Sequence, residues 1–288
     1  MGDVSRENVV AGLRALGARS GDTLFVHSSL KSFGRVAGGA GTVVDSLVDA
    51  VGEGGTVVVP THTTNTIDGA DREGEMAVAF DVSKTESMVG IVTETLRRRP
   101  GARRSSHPTH SVAALGPGAA EITANHGPTP FGADGPYGAM RARNALILLL
   151  GSPIGRNTTL HAIEQWMGMP YMGEVRSYVA TPGGPELVDV PLFPSGDRGF
   201  YQKRARIHDI HESAGIIVHG RVGAAELKAV RVKDLIRVTA EAELEFAGVL
   251  LCERPDCIFC TKGRAAVRAK SAEIRRNIQA LLTLADSI

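Results

Sequence analysis

Within Asn157-Thr158-Thr159-Leu160-His161-Ala162-Ile163-Glu164-Gln165-Trp166, an imidazole and a carboxylate stand three residues apart. On a helix that spacing puts both on one face. A histidine with a carboxylate beside it suits proton removal near neutral pH. The same pair is also common on solvated helices as a surface or capping pair, so its setting has to decide. Ahead of it, Ala145-Leu146-Ile147-Leu148-Leu149-Leu150-Gly151 is an apolar run bounded by glycine that reads as a buried strand. A short turn, Ser152-Pro153-Ile154-Gly155-Arg156, leads into the helix, and Asn157 or Thr158 can cap it by accepting a first-turn N–H. Ligands in open α/β sheets gather where strands end and helices begin.

Other stretches carry weaker chemistry. His27-Ser28-Ser29-Leu30-Lys31 and Arg104-Ser105-Ser106-His107-Pro108 both place hydroxyls and backbone N–H groups beside strands, and the arginines can meet a phosphate. Each alone is also ordinary turn chemistry. Gly34–Gly41 is glycine-rich but matches neither dinucleotide nor nucleoside-triphosphate loop spacing. Cys252-x4-Cys257-x2-Cys260 brings three thiols close enough to share a metal, with a fourth ligand needed from a distant histidine such as His208 or His211. The reading adopted is reduced thiols in a turn, with no metal assigned. His208-x2-His211 is not the zinc-peptidase pattern.

The totals fit a single domain over residues 1–288. Hydrophobic content of 43%, charged content of 22% and a net charge of +1 exclude a global field for nucleic acid or an anionic membrane. No apolar run approaches the roughly 20 residues of a membrane span. The polar start, Met1-Gly2-Asp3-Val4-Ser5-Arg6-Glu7, is not a secretory signal. Three cysteines are sparse and odd in number, which fits a reducing cytoplasm.

The elements that must position these residues follow from periodicity. Ser5 caps a helix to about Leu16. Strands are predicted at Thr23–His27, Thr56–Pro60, Val112–Leu115 and Ile216–Val222, and helices over about Thr42–Val51, Met88–Arg99, Phe200–Ser213, Val232–Phe246 and Ala265–Asp286. Ser177–Ala180 and Glu186–Val190 read as an antiparallel hairpin, whereas residues 61–85 and Gly127–Gly138 read as coil. The fold class is α/β: a central, mostly parallel sheet flanked by helices, with a smaller antiparallel portion in the second half.

Five stretches in this order resemble the aminoglycoside 3-N-acetyltransferase family, whose α/β fold differs from the common GNAT fold. They are Leu24–Leu30, Gly38–Val44, Gly52–Val58, Pro100–Pro108, and Leu148–Gly151 with Thr158–Glu164. The resemblance covers about residues 5–170 and is weaker over 196–250, where Gly220–Glu226 still looks family-like. It implies acetyl-coenzyme A as donor and the 3-amino group of an aminoglycoside as acceptor, in a cytoplasmic resistance enzyme for which a homodimer is an expectation by analogy. Carried over by motif, His27, Ser28, Ser29, Leu30 and Lys31 line the pantetheine path, and Arg104, Ser105 and Ser106 contact the cofactor. Thr158 sits near the thioester carbonyl. His161 is the general base, and Glu164 orients it or helps bind the cationic antibiotic.

A polycationic acceptor calls for an acidic pocket. Asp68, Asp71, Glu73, Glu75, Asp81 and Glu86 of the 61–86 loop offer charge, with Asp209 and Glu212 from the second half. Two competitors remain at this point: the same chemistry on another small-molecule amine, and a zinc-dependent hydrolase using the His and Cys clusters.

Overall fold

A computed structural model describes residues 3–69, 77–194 and 206–287. Helix α1 (Arg6–Ala15) starts in a reciprocal box: Asn8 N–H donates to Ser5 Oγ, and Ser5 N–H donates to Asn8 Oδ1 at 3.0 Å. Then come β1 (Thr23–Ser28), α2 (Gly39–Val51), β2 (Thr56–Pro60), α3 (Ile91–Arg97), β3 (Arg103–Arg104), β4 (Val112–Leu115), α4 (Ala119–Ala124) and α5 (Pro136–Ala142). The second half runs β5 (Leu146–Leu150), α6 (Thr159–Met167), β6 (Gly173–Thr181), β7 (Gly184–Phe193), α7 (Arg206–Ser213), β8 (Val218–Val222), β9 (Ala225–Arg231), α8 (Val232–Glu245), α9 (Ile258–Ala269) and α10 (Ser271–Asp286).

Seven strands form one sheet in the order β3-β4-β2-β1-β5-β9-β8. The α/β layout and the separate antiparallel β6–β7 hairpin agree with the sequence reading. Parallel pairing, however, is confined to the centre, where β1 lies between β2 and β5. The other four pairings are antiparallel. Only the edge pairs β3–β4 and β8–β9 are joined without a helix between them, the latter through a tight turn at Gly223, φ +57°. The sheet is therefore mixed rather than mostly parallel.

Alternation along the strands divides the core between two faces. Phe25, Val58 and Ile147 face α6, α8 and α10, together with Leu160, Ile163, Leu235 and Ile278. Leu24, Val26, Val57 and Leu148 face α1, α2 and α3, together with Leu13, Leu47 and Leu96. Each such side chain contributes about 1.5–3 kcal/mol by leaving water. No described helix is long and apolar enough to cross a membrane.

Several boundaries differ from those read in the sequence. α2 begins three residues early because Gly38, at φ +80°, turns the chain into it. α3 starts only at Ile91, after Gly90 at φ +120°. Its basic end is neutralised by Glu94, which accepts from both Arg97 and Arg98. The C-terminal helix is two helices broken at Lys270. α9 buries Cys260, Gly263 and Val267 and α10 buries Ile274, Ile278 and Leu281; these positions keep one continuous spacing of three and four, so periodicity alone carries no sign of the break. Residues 200–205 of the helix predicted at Phe200–Ser213 lie outside the described residues, as do Asp71, Glu73 and Glu75. The described part of the 61–85 segment is stitched to the hairpin: Phe80 N–H donates to Tyr178 O at 2.8 Å and Ala180 N–H to Phe80 O at 2.9 Å.

Candidate active site

β1 and β5 run parallel, and their carboxyl ends meet at Ser28 and Leu150. Ser29 N–H donates to Leu150 O at 2.9 Å, locking the two ends together. From here the chain departs to opposite faces, through α2 on one side of the sheet and α6 on the other. This divergence is the geometry that opens a crevice beyond the strand ends.

α6 starts in that crevice. Asn157 Oδ1 accepts from Thr159 N–H at 3.1 Å, so the capping oxygen belongs to Asn157. Thr158 Oγ1 instead shares a hydrogen bond with Tyr137 Oη at 2.8 Å. One turn later, His161 Nδ1–H donates to Glu164 Oε2 at 2.7 Å. This bond selects the tautomer whose Nε2 carries the lone pair, the form a proton acceptor requires. The imidazole also stacks on Phe131, with centroids 5.7 Å apart and planes at 28°. Its side chain is 16% exposed, whereas that of Glu164 is 0% exposed.

The second Glu164 oxygen, Oε1, accepts from Tyr171 Oη–H at 2.8 Å. α6 ends at Gly168 in the left-handed region (φ +74°), and that turn brings Tyr171 back beneath the helix. Burial, with Glu164 beside it, pushes the Tyr171 hydroxyl well above its usual range, so it remains a donor. Glu243 of α8 lies close enough to feel the same carboxylate. Burial pushes Glu243 up to about 7, while hydrogen bonds from Gly248 and Val249 N–H pull the other way. Glu164 is thus completely buried and bonded at both oxygens, a geometry at odds with the expected contact to an antibiotic amine.

Around His161 stands a group of histidines, His27 from β1 and four from loops. His62 and His110 lie 4.5 Å apart, His107 and His126 4.6 Å, and His110 packs edge-on against Phe131 at 5.1 Å. His27 meets Phe25 at 4.7 Å. Burial lowers His27 and His62 to about 3 and His126 to about 4, and holds His107 and His110 well below the usual imidazole range. These five rings are therefore neutral near pH 7. Of the six, His161 is the one whose ring bonds a carboxylate among the described residues. Four buried polar atoms here have no hydrogen-bond partner: His27 Nε2, His62 Nε2, Asn157 Nδ2 and Thr159 Oγ1. Orphaned groups at a strand end and a helix start are the kind a bound polar ligand satisfies.

The remaining predicted residues divide. Ser28 and Leu30 are half-buried and Lys31 is exposed. Ser29 Oγ accepts from Ser32 Oγ at 3.0 Å. Ser106 lies exposed on the rim of a cavity of about 320 Å³, lined also by His107, His126, Pro128 and Asp189. Ser105 is buried, with its hydroxyl bonding Val112 N–H and His126 Nδ1. Arg104 departs from expectation. Its guanidinium donates to Thr61 O at 2.9 Å, Thr85 O at 2.5 Å and Ser111 Oγ at 3.0 Å, and it lies over the Phe80 ring. A side chain tied to the protein at all three nitrogens is scaffold rather than a waiting phosphate contact.

The acidic residues are mostly committed elsewhere. Asp68 accepts from Arg176 and Tyr178, Asp81 closes a turn on Ser83, and Glu86 pairs with Arg98. Glu212 pairs with Lys228 and His219 at the β8–β9 edge, and Asp209 is exposed on α7. Neither is positioned by a bond to the His161–Glu164 pair. Tyr171, Tyr137 and Phe131 were not singled out from the sequence. The only cue was an aromatic residue shortly after a glycine-terminated helix.

The thiols of Cys252, Cys257 and Cys260 converge, but His208 and His211 are not part of their cluster. His211 Nε2 bonds Thr239 Oγ1 at 2.9 Å instead. The mixed His–Cys constellation required by the zinc-hydrolase reading does not form among the described residues.

Comparison with known proteins adds a family to this geometry. A model of the aminoglycoside 3-N-acetyltransferase family matches residues 25–242. Aminoglycoside N(3)-acetyltransferase VII of Streptomyces paromomycinus is 35% identical over 228 residues, 74% of this chain and 73% of that protein. Aminoglycoside N(3)-acetyltransferase IX of Micromonospora chalcea is 38% identical over 175 residues, 57% of this chain and 62% of the relative, less than two thirds of its length. The solved structure of AAC-IIIb, binary with CoASH, is similar at a TM-score of 0.73 and 26% identity, covering 85% of this chain and 98% of that one. A histidine-to-alanine mutant of aminoglycoside acetyltransferase AAC(3)-IVa in complex with apramycin has a TM-score of 0.71 at 26% identity, covering 85% of this chain and 94% of that one.

Proposed function

The chain belongs to the aminoglycoside 3-N-acetyltransferase family, and from that premise we propose that it acetylates the 3-amino group of an aminoglycoside from acetyl-coenzyme A, with His161 as general base. The observation that carries this reading is the His161 Nδ1–H bond to a fully buried Glu164, itself held by Tyr171. The donor is supported by the similar structure that is binary with CoASH, and the acceptor by the relatives' names and the apramycin-bound structure.

The chemistry assigns each group a task. At neutral pH an aminoglycoside amine is largely an ammonium, whose lone pair carries a proton. His161 Nε2 takes that proton and releases it to solvent, the freed amine attacks the acetyl carbon, and His161 then carries a second nitrogen proton to the departing thiolate, while Glu164 keeps the ring in place and balances the charge it gains. The thioester oxygen then becomes an oxyanion. The Thr158 hydroxyl at the start of α6 is the donor for that charge, since the Thr159, Leu160 and His161 N–H groups are already held by Asn157 and Thr158. Collapse breaks the carbon–sulfur bond, leaving the amide and coenzyme A. Both substrates held together supply proximity, so no nucleophilic Ser or Cys is needed.

His27, Ser28, Ser29, Leu30, Lys31, Ser105 and Ser106 form the proposed donor path. The orphaned His27 Nε2 and Asn157 Nδ2 fit the amides of a pantetheine arm. Arg104 supports that wall through Thr61 and Ser111.

The test is coenzyme A thiol release with a panel of aminoglycosides, followed by mapping the acetylated nitrogen on the product. Release that depends on the antibiotic, with acetyl on the 3-amino group, is the expected result. Coenzyme A binding without release for any member would overturn the acceptor and redirect the search to other amines.

A further inference from the structure

The three cysteines sit where the chain turns from α8 into α9. Cys257 caps α9 and Cys260 lies in its first turn, while Cys252 precedes them in the connecting segment. The three Sγ atoms all lie within 4.8 Å of one another. The residues are 1%, 6% and 0% exposed, and no disulfide joins them. Thiols are weak hydrogen-bond donors, so mutual S–H contacts do little to offset this burial. Around a tetrahedral zinc ion with Zn–S of about 2.3 Å, sulfurs stand about 3.8 Å apart. Only a contraction of about 1 Å or less separates that arrangement from the one observed.

We propose that Cys252, Cys257 and Cys260 form a three-thiolate site for a thiophilic divalent cation, zinc, with a water molecule completing its coordination. Binding replaces three S–H protons by one Zn²⁺, so three protons leave and the centre carries one net negative charge. The surroundings suit that charge. The α9 N-terminus directs its first-turn dipoles at Cys257 and Cys260. Arg264, one turn after Cys260, donates from Nη1 to Cys252 O at 2.6 Å.

The site also has a mechanical consequence. Phe259, between two of the ligands, packs edge-on against Tyr171 with centroids 6.2 Å apart. Gly263 lies so close that an added Cβ would come 2.9 Å from Leu251 Cδ1 and 3.5 Å from Tyr171 Cδ1. The metal would thus fix the first two turns of α9 against the residue that holds Glu164.

Full-length protein purified without chelators is assayed for metal by mass spectrometry. An organomercurial titration then follows zinc release with a chromophoric chelator, and zinc-edge X-ray absorption counts the sulfur neighbours. The expected result is about one zinc per chain, lost in step with mercuration and bound by three sulfurs, with Cys257→Ser lowering retained zinc about tenfold or more. The wild-type absorption spectrum tests the site even if that variant misfolds. Protein that carries no zinc after incubation with the ion and gel filtration, or zinc without sulfur neighbours, would overturn the proposal. Neither outcome bears on whether acetyl transfer occurs.

Discussion

Tyr171 donates to Glu164 Oε1 at 2.8 Å, and Glu164 has no exposure to solvent. The carboxylate is therefore fixed from both ends, by a phenol behind it and an imidazole in front. A fixed carboxylate fixes the ring, and that carboxylate partner is how His161 differs from the five rings around it among the described residues.

Tyr171→Phe removes the hydroxyl and keeps the ring packing against Phe259. It should lower kcat about three- to tenfold with KM for both substrates nearly unchanged, because the hydrogen bond positions Glu164 without touching substrate. Steady-state kinetics separates this from a structural effect, in which thermal stability would fall and kcat would not.

Glu164→Gln is nearly isosteric but can present an N–H to His161 Nδ1, favouring the wrong tautomer. kcat should fall about 10²–10⁴-fold while coenzyme A affinity is retained, which equilibrium binding and kinetics together would read. A loss of antibiotic affinity with kcat preserved would instead return Glu164 to a substrate contact.

Arg104→Gln should reduce stability by about 1–3 kcal/mol, since Thr85 O loses its donor inside the protein and Thr61 O keeps only the Ser111 hydroxyl. Urea denaturation checks this. The KM for acetyl-coenzyme A of the folded fraction should change less than about threefold. A large rise in that KM with unaltered stability would restore the phosphate contact expected from the sequence.

Acid should unfold the protein earlier than its carboxylates alone require. His27, His62 and His211 are lowered to about 3 and His126 to about 4, with His107 and His110 also depressed, against an ordinary value of 6.5. Between 6.5 and those values the unfolded chain binds more protons than the folded one, so stability falls as pH drops through this window. Each such group costs up to about 1.4 kcal/mol per pH unit. Glu243, raised to about 7, acts in the opposite direction between 4.5 and 7, one group against six. Urea midpoints from pH 7.5 to 5 should fall steeply in wild type and less steeply in His62→Phe. Identical slopes would contradict the assignment.

The parts of the fold legible in the sequence share a cause. Thr56–Pro60 follows Gly54-Gly55 and Leu146–Leu150 runs into Gly151; both are short apolar runs, and both are fully buried strands. Ser5 marked the start of the first helix as its cap, a local signal that the structure completes with Asn8. β9 was missed because Ala225 and Ala229 occupy inward positions where alanine carries little strand signal, although the alternation with Glu226 and Lys228 is present. α4 and α5 span six and seven residues, too few for periodicity to stand out. At the site, the His161–Glu164 pair was readable because it is local to one helix. Tyr171 and the histidine group were not, since they meet through turns and loops whose direction spacing does not encode. The acidic residues were visible as charges, but their partners Arg176, Arg98 and Lys228 are set by tertiary contacts.

The central claim is that His161 accepts the proton of the attacking amine. Its most direct test is the turnover of His161→Ala beside wild type, measured as coenzyme A thiol release with a saturating accepted aminoglycoside, with coenzyme A affinity measured on the same samples. A general base predicts a fall in kcat of about 10²–10⁴-fold with that affinity preserved. Turnover within about twofold of wild type would contradict the account and leave the Glu164–Tyr171 bond as core structure.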